Sequence, residues 1–169
     1  MKKPKIFIAC DTTNLAKVRE IINQSKTKKI KIGYKFGLEF MNSKKGRQFV
    51  SALRDKIIFV DLKLNDTVNT MLSAVKALKD LKINYLTVHV SSGLTALKAV
   101  KKVSGLTKIV GVTTLTSLNN KDLKLIGYSK SVKNLVIHQA KLARQSALDA
   151  LVCSPHEVND VRKIFKKEI

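Results

Sequence analysis

The residues best suited to chemistry are concentrated in one short run, Asp61-Leu62-Lys63-Leu64-Asn65-Asp66, where two carboxylates bracket an ammonium at spacings of two and three. Other ionisable or hydroxyl residues stand late in or just after apolar runs: Asp11, Lys31, His89 and Thr113. Lys31, Asp61, Lys63 and Asp66 offer an alternating array of positive and negative groups. Taking such charges out of water costs on the order of several kcal/mol per ion before their attraction is counted, so the array needs close partners and usually a purpose. Plainer roles stay open for each residue alone. Asp66 can cap the helix that begins near Val68, Asp61 and Lys63 can pair at a solvated rim, and Lys31 can be a surface lysine.

These residues must be positioned by the elements around them. Short apolar, β-branched runs at 6–10, 29–32, 57–62, 85–88, 108–112 and 150–153 read as strands. Between them, 15–24, 46–55, 68–81, 94–103, a broken stretch over 121–145, and 156–167 carry helical periodicity. In 68–81, for instance, Val68, Met71, Leu72, Val75, Leu78 and Leu81 recur at spacings of three and four and form one apolar face. Asn14, Asp66-Thr67 and Ser154-Pro155 supply caps or an N1 proline where helices should begin. With no linker or low-complexity segment, the reading is a single domain over 1–169 built from repeated βα units on a parallel sheet.

Side chains alternate across a strand, so Asp61 and Lys63 share the face of Phe59, while Val60 and Leu62 point to the helix layer. The chemical residues therefore gather at the carboxyl ends of several strands, which is where a (β/α) barrel builds its site. An open dinucleotide-binding sheet fits less well, because the first turn, Cys10-Asp11-Thr12-Thr13, contains no glycine. A closed barrel needs eight units and typically about 250 residues. The expected fold is α/β of the (β/α)8 TIM-barrel type, with this sequence carrying about the first six units as an incomplete barrel.

Composition narrows the function classes. The net charge of +21 would by itself suggest nucleic acid as a partner, but only five of the 33 basic residues are arginine and aromatics make up 5%. Nucleic-acid surfaces favour arginine forks and stacking rings, so a solvated lysine-rich surface is expected and nucleic acid is not the expected partner. No apolar run approaches the roughly 18 residues of a membrane span, and the reading is a soluble, cytoplasmic protein without a membrane partner. Cys10 and Cys153 stand singly at the ends of two apolar runs, far apart in sequence, so reduced thiols are expected, with neither disulfide nor metal site.

The run from Phe59 to Thr70 resembles the Asp-x-Lys-x-x-Asp signature of the orotidine 5′-phosphate decarboxylase family. Ala9-Cys10-Asp11 is similar to its first-strand aspartate, Lys31-Ile32-Gly33 to its second-strand lysine, and Val88-His89-Val90-Ser91-Ser92-Gly93 to its histidine turn. Val112-Thr113-Thr114-Leu115-Thr116-Ser117 resembles its pyrimidine-contacting loop, and Val152-Cys153-Ser154 the end of its sixth strand. The resemblance implies a homodimeric carboxy-lyase of pyrimidine biosynthesis that makes uridine monophosphate from orotidine monophosphate without a cofactor. It implies that Lys63 donates the proton and that Asp61 and Lys31 hold it. Asp66 and Thr70 would serve a neighbouring subunit's site, Asp11 would contact the ribose, and Thr116 and Ser117 would read the pyrimidine edge. His89 would have only a supporting role.

Two departures stand out. Thr67 and Val68 replace the family's Ile and Pro. The family's Thr-Pro-Gly-Ile-Arg turn and final Gly-Arg, which grip the substrate phosphate, are not in the sequence, and their loss is expected to damage catalysis as well as affinity in this chain alone. The rival readings are a Mg²⁺-dependent sugar-phosphate decarboxylase or aldolase of the same superfamily and a non-catalytic basic nucleic-acid module.

Overall fold

Alternating strands and helices run through the computed structural model, which describes residues 6–167. The strands are β1 (Ile6–Ala9), β2 (Ile32–Gly37), β3 (Ile57–Leu64), β4 (Tyr85–His89), β5 (Lys108–Val112) and β6 (Ala150–Val152). They follow one another in a single sheet in chain order, and the pairs β1/β2, β2/β3 and β5/β6 are parallel. The helices are α1 (Leu15–Gln24), α2 (Leu38–Asn42), α3 (Gly46–Ala52), α4 (Val68–Ala77), α5 (Gly93–Val103), α6 (Asn120–Leu125), α7 (Val132–Gln145) and α8 (Val158–Ile164). This is the βα alternation expected of the barrel class. The chain divides into two compact units, one reaching to Leu62 and including Ala77–Leu86, the other comprising Lys63–Lys76 and the chain from Thr87 onward.

In the first unit, period-two alternation sorts the strand residues onto two faces. Tyr34 and Phe36 of β2 and Ile58 and Val60 of β3 are buried. The Phe36, Phe40 and Phe49 rings cluster at centroid distances of 4.9 to 6.4 Å. The Tyr34 hydroxyl lies 2.8 Å from Ser25 Oγ at the end of α1, tying that face to the helix layer. The other face carries Phe7, Phe59 and Tyr85, with Phe7 5.1 Å from each of the other two in edge-on contact. Edge-on packing suits the ring quadrupoles and seals the floor beneath the polar residues further along the same strands. Asn14 caps α1, its Oδ1 accepting the Ala16 and Lys17 N–H groups at 3.0 and 3.2 Å, and Val18 and Ile22 bury the helix.

The second strand corrects the sequence expectation. It covers Ile32–Gly37 rather than 29–32, so Lys31 precedes the strand and Lys35 lies within it. Gly33 does not stop the strand. A Cβ there would reach 2.6 Å from Phe7 Cδ1, so the glycine admits the neighbouring ring. The following five-residue helix α2 is too short for periodicity to reveal it.

In the second unit, Asp149 organises the strand starts. Its Oδ2 accepts the Ile109 N–H at 2.9 Å and pairs with Lys101 Nζ at 2.6 Å. The stretch expected as a broken helix over 121–145 resolves into α6 and α7. Gly127, at φ +91°, ends α6, with the Tyr128 N–H returning to the Leu123 carbonyl at 2.8 Å. A left-handed residue after the helix satisfies the terminal carbonyls and favours glycine. α4 also ends earlier than expected, at Ala77, and a single tight turn, Lys79–Leu81, carries the apolar stripe onward.

Cys10 is fully buried, and burial pushes its thiol up to about 11, with Asp11 adding to the rise and Lys35 opposing it. Only the thiolate is nucleophilic. In folded protein at mildly alkaline pH, Cys10 is therefore expected to resist iodoacetamide and to react once the chain is denatured, as counted by intact mass. Rapid native-state alkylation at Cys10 would contradict this packing.

Candidate active site

Parallel pairing in the first unit sets Lys35 opposite Ala9 on one side and Phe59 on the other, while Gly37 faces Asp61. Lys35 Nζ lies 3.3 Å from Asp61 Oδ2 and 3.7 Å from Asp11 Oδ1. Exposure falls steeply along this chain of charges, from 58% for the Asp11 side chain to 25% for Lys35 and 11% for Asp61. The buried carboxylate is thus charge-compensated from the strand beside it, while Asp11 faces solvent.

Of Lys31 and Lys35, it is Lys35 that meets Asp61, which corrects the assignment of the holding role to Lys31. Lys31 lies at the opposite end of β2, by a shallow cavity of about 260 Å³ lined also by Lys26, Tyr34, Asp55 and Lys56. The sequence holds the Lys-x-Gly triplet twice, as Lys31-Ile32-Gly33 and Lys35-Phe36-Gly37. Alternation gives both lysines the same face, and what separates them is the extent of the strand, which runs on to Gly37 and so sets Lys35, not Lys31, toward its carboxyl end beside Asp61.

In the second unit, Lys63 is half-buried near the end of β3 and has φ +49°, with its N–H donating to Thr87 Oγ1 at 2.8 Å. Asp66 is exposed, and its Oδ1 accepts the Thr67 N–H at 2.6 Å. The Thr67 carbonyl receives the Met71 N–H at 3.0 Å, so the first turn of α4 grows from Thr67. Thr67 Oγ1 and Thr70 Oγ1 are 3.0 Å apart, and Thr70 is exposed. Asp66 and Thr70 thus present polar groups to solvent at one helix entry.

Thr116 and Ser117 are exposed in the turn between β5 and α6. The root of this turn is fixed. Thr113 donates both its N–H and its hydroxyl to the Val152 carbonyl, at 3.1 and 2.9 Å. Thr114 Oγ1 donates to Gln139 Oε1 at 3.1 Å, and Gln139 is only 6% exposed. A cavity of about 230 Å³ opens here, lined by Asn65, His89, Thr113, Thr114, Leu118 and Gln139 among others, but not by Thr116 or Ser117. Gln139 escaped the sequence reading because one polar residue on the inner side of α7 carries no partner information.

Comparison with known proteins places this geometry. Residues 4–169 match the model of the orotidine 5′-phosphate decarboxylase / HUMPS family. The chain is 38% identical to a protein named orotidine 5′-phosphate decarboxylase from Sphingopyxis alaskensis, over 95% of this chain and 71% of that protein. It is 39% identical to the protein of that name from the Wolbachia of Brugia malayi, over 92% of this chain and 70% of that one. The crystal structure of orotidine 5′-phosphate decarboxylase from Lactobacillus acidophilus superimposes with a TM-score of 0.84 at 29% identity, covering 99% of this chain and 79% of that one. With the Asp-x-Lys-x-x-Asp run at the end of β3 and just beyond it, the βα order and the extent of these matches in agreement, this chain belongs to the orotidine 5′-phosphate decarboxylase / HUMPS family.

Proposed function

We propose that this chain decarboxylates orotidine 5′-monophosphate to uridine 5′-monophosphate, with Lys63 as the proton donor. The bond from the pyrimidine ring to its carboxylate breaks, CO₂ leaves, and the electron pair stays on the ring carbon. The Lys63 ammonium then delivers a proton to that carbon and regains one from solvent. Nothing in this step absorbs the electron pair except the local field, so a positive group fixed beside the carbon both stabilises the developing charge and ends it by proton transfer.

The observation that carries this reading is the buried Asp61, held by Lys35 at 3.3 Å and two residues from Lys63 on one strand. A carboxylate so held can orient a neighbouring ammonium without leaving its place. Lys35 takes the holding role given to Lys31 by the sequence resemblance. Asp11 and Thr70 contact the ribose, Thr116 and Ser117 read the pyrimidine edge, and Asp66 and Thr70 act across a homodimer interface. The reaction belongs to pyrimidine biosynthesis in the cytoplasm. Among the described residues no helix is long and apolar enough to cross a membrane.

The test follows CO₂ release from orotidine 5′-monophosphate by the chain alone and by a fusion to the part of the Sphingopyxis relative outside the 71% that this chain covers. The fusion matters because phosphate grips in such barrels follow strands seven and eight, and remote binding energy lowers the chemical barrier. Turnover indifferent to a chelator is the expected result. Chelator-abolished turnover of a sugar-phosphate acid instead, or no turnover by either form, would overturn the proposal.

A further inference from the structure

Among the described residues, three non-glycine residues have left-handed backbone, and two have an ordinary reason. Lys82 directly follows the tight turn Lys79–Leu81, and Ala147 follows the end of α7. At such helix ends a left-handed residue satisfies terminal carbonyls. Lys63 is different, because φ +49° occurs inside β3, where regular strand residues have strongly negative φ. Holding a side-chain-bearing residue there costs on the order of 1–2 kcal/mol, and it persists only when surrounding groups enforce it.

The enforcing group is visible. Thr87, on β4, is 1% exposed and its Oγ1 accepts the Lys63 N–H at 2.8 Å. The donor belongs to the strained residue itself, and the acceptor is a side chain. A hydroxyl on a β-branched residue has few rotamers, so its position is set by the strand that carries it. The bond therefore fixes the peptide plane entering Lys63, the plane against which its φ, and so the direction of its Cα–Cβ bond, is set.

We propose that Thr87 is a positioning residue that holds Lys63 in its left-handed conformation and so aims the ammonium at the reacting carbon. The inference rests on the proposed role of Lys63. A fully buried strand position would otherwise favour valine, which has the same shape and no polar atom to satisfy.

Thr87→Val keeps the shape and deletes the acceptor, while Thr87→Ser keeps the acceptor. The amide-to-α-proton coupling of Lys63, read by NMR on the chain itself, reports φ without requiring turnover. In Thr87→Val it is expected to move toward the value of an extended strand, and in Thr87→Ser to stay. In kinetics, Thr87→Val is expected to lose about 10- to 100-fold in kcat with KM nearly unchanged, because a misaimed donor damages the chemical step and not ground-state binding. Thr87→Ser should recover most of that loss.

An unchanged Lys63 coupling in Thr87→Val, in folded protein with a cooperative melt, overturns the proposal whatever kcat does. A loss in Thr87→Val confined to KM or to melting temperature overturns it as well. If wild-type protein fails to decarboxylate orotidine 5′-monophosphate, the functional reading falls, and the coupling still decides whether Thr87 holds the backbone.

Discussion

Lys63→Ala is expected to lower kcat on orotidine 5′-monophosphate by at least about 10⁴-fold, because it removes a general acid and a preorganised positive charge together. General acid catalysis is typically worth about 10²- to 10⁴-fold and a preorganised stabilising group about 10²- to 10³-fold, and here one side chain supplies both. The fold should survive. Lys63 is half-buried and its strained backbone is retained by alanine, so a companion Lys63→Gly should be equally inactive yet relieved of the left-handed cost by about 1 kcal/mol. Single-turnover kinetics and urea melts of the two variants separate these effects. A Lys63→Ala protein retaining more than a tenth of wild-type kcat would remove the central residue from the mechanism.

Replacing Lys35 and Lys31 in turn should give opposite results. Lys35→Met leaves Asp61 without the ammonium 3.3 Å away, in a position where the carboxylate side chain is 11% exposed. Breaking one half of a fully buried pair costs about 3–5 kcal/mol, and because Lys35 is a quarter exposed and Asp61 keeps other interactions the expected loss is smaller, about 2 kcal/mol. Activity should fall by about 10²-fold or more as Asp61 loses its anchor. Lys31→Met, on an exposed side chain at the other end of β2, should stay within about 0.5 kcal/mol and keep its turnover. Denaturation midpoints and kcat for the pair provide the check. A destabilised, inactive Lys31→Met beside a normal Lys35→Met would restore the first sequence reading. A cycle with Asp61→Asn should be strongly non-additive with Lys35→Met and additive with Lys31→Met, since only the first pair is in contact.

Much of the architecture was legible because it is written in local patterns. The boundaries of α1 and β5 agree with periodicity and capping to the residue, Leu15–Gln24 and Lys108–Val112. The Asp61–Asp66 run was legible for a related reason, since its spacing is contiguous and needs no partner strand to be recognised. The second strand was not, because Lys31-Ile32-Gly33 and Lys35-Phe36-Gly37 offer the same local chemistry, and glycine usually marks an interruption. What separated them was the pairing register, which seats Gly33 against the Phe7 ring, where a Cβ would not fit, and continues to Lys35 opposite Phe59 and Gly37 opposite Asp61.

Sequence alone therefore determined the βα order, the polar run on β3 and the family resemblance, because these depend on spacing along the chain. Tertiary structure decided which lysine meets Asp61, which hydroxyl holds the Lys63 backbone, and which buried amide steadies the turn that carries Thr116. Each of these is a contact between residues 24 to 26 positions apart. A side chain's type limits what it can bond to, but only the pairing register and the packing of neighbouring rings bring a particular partner within reach.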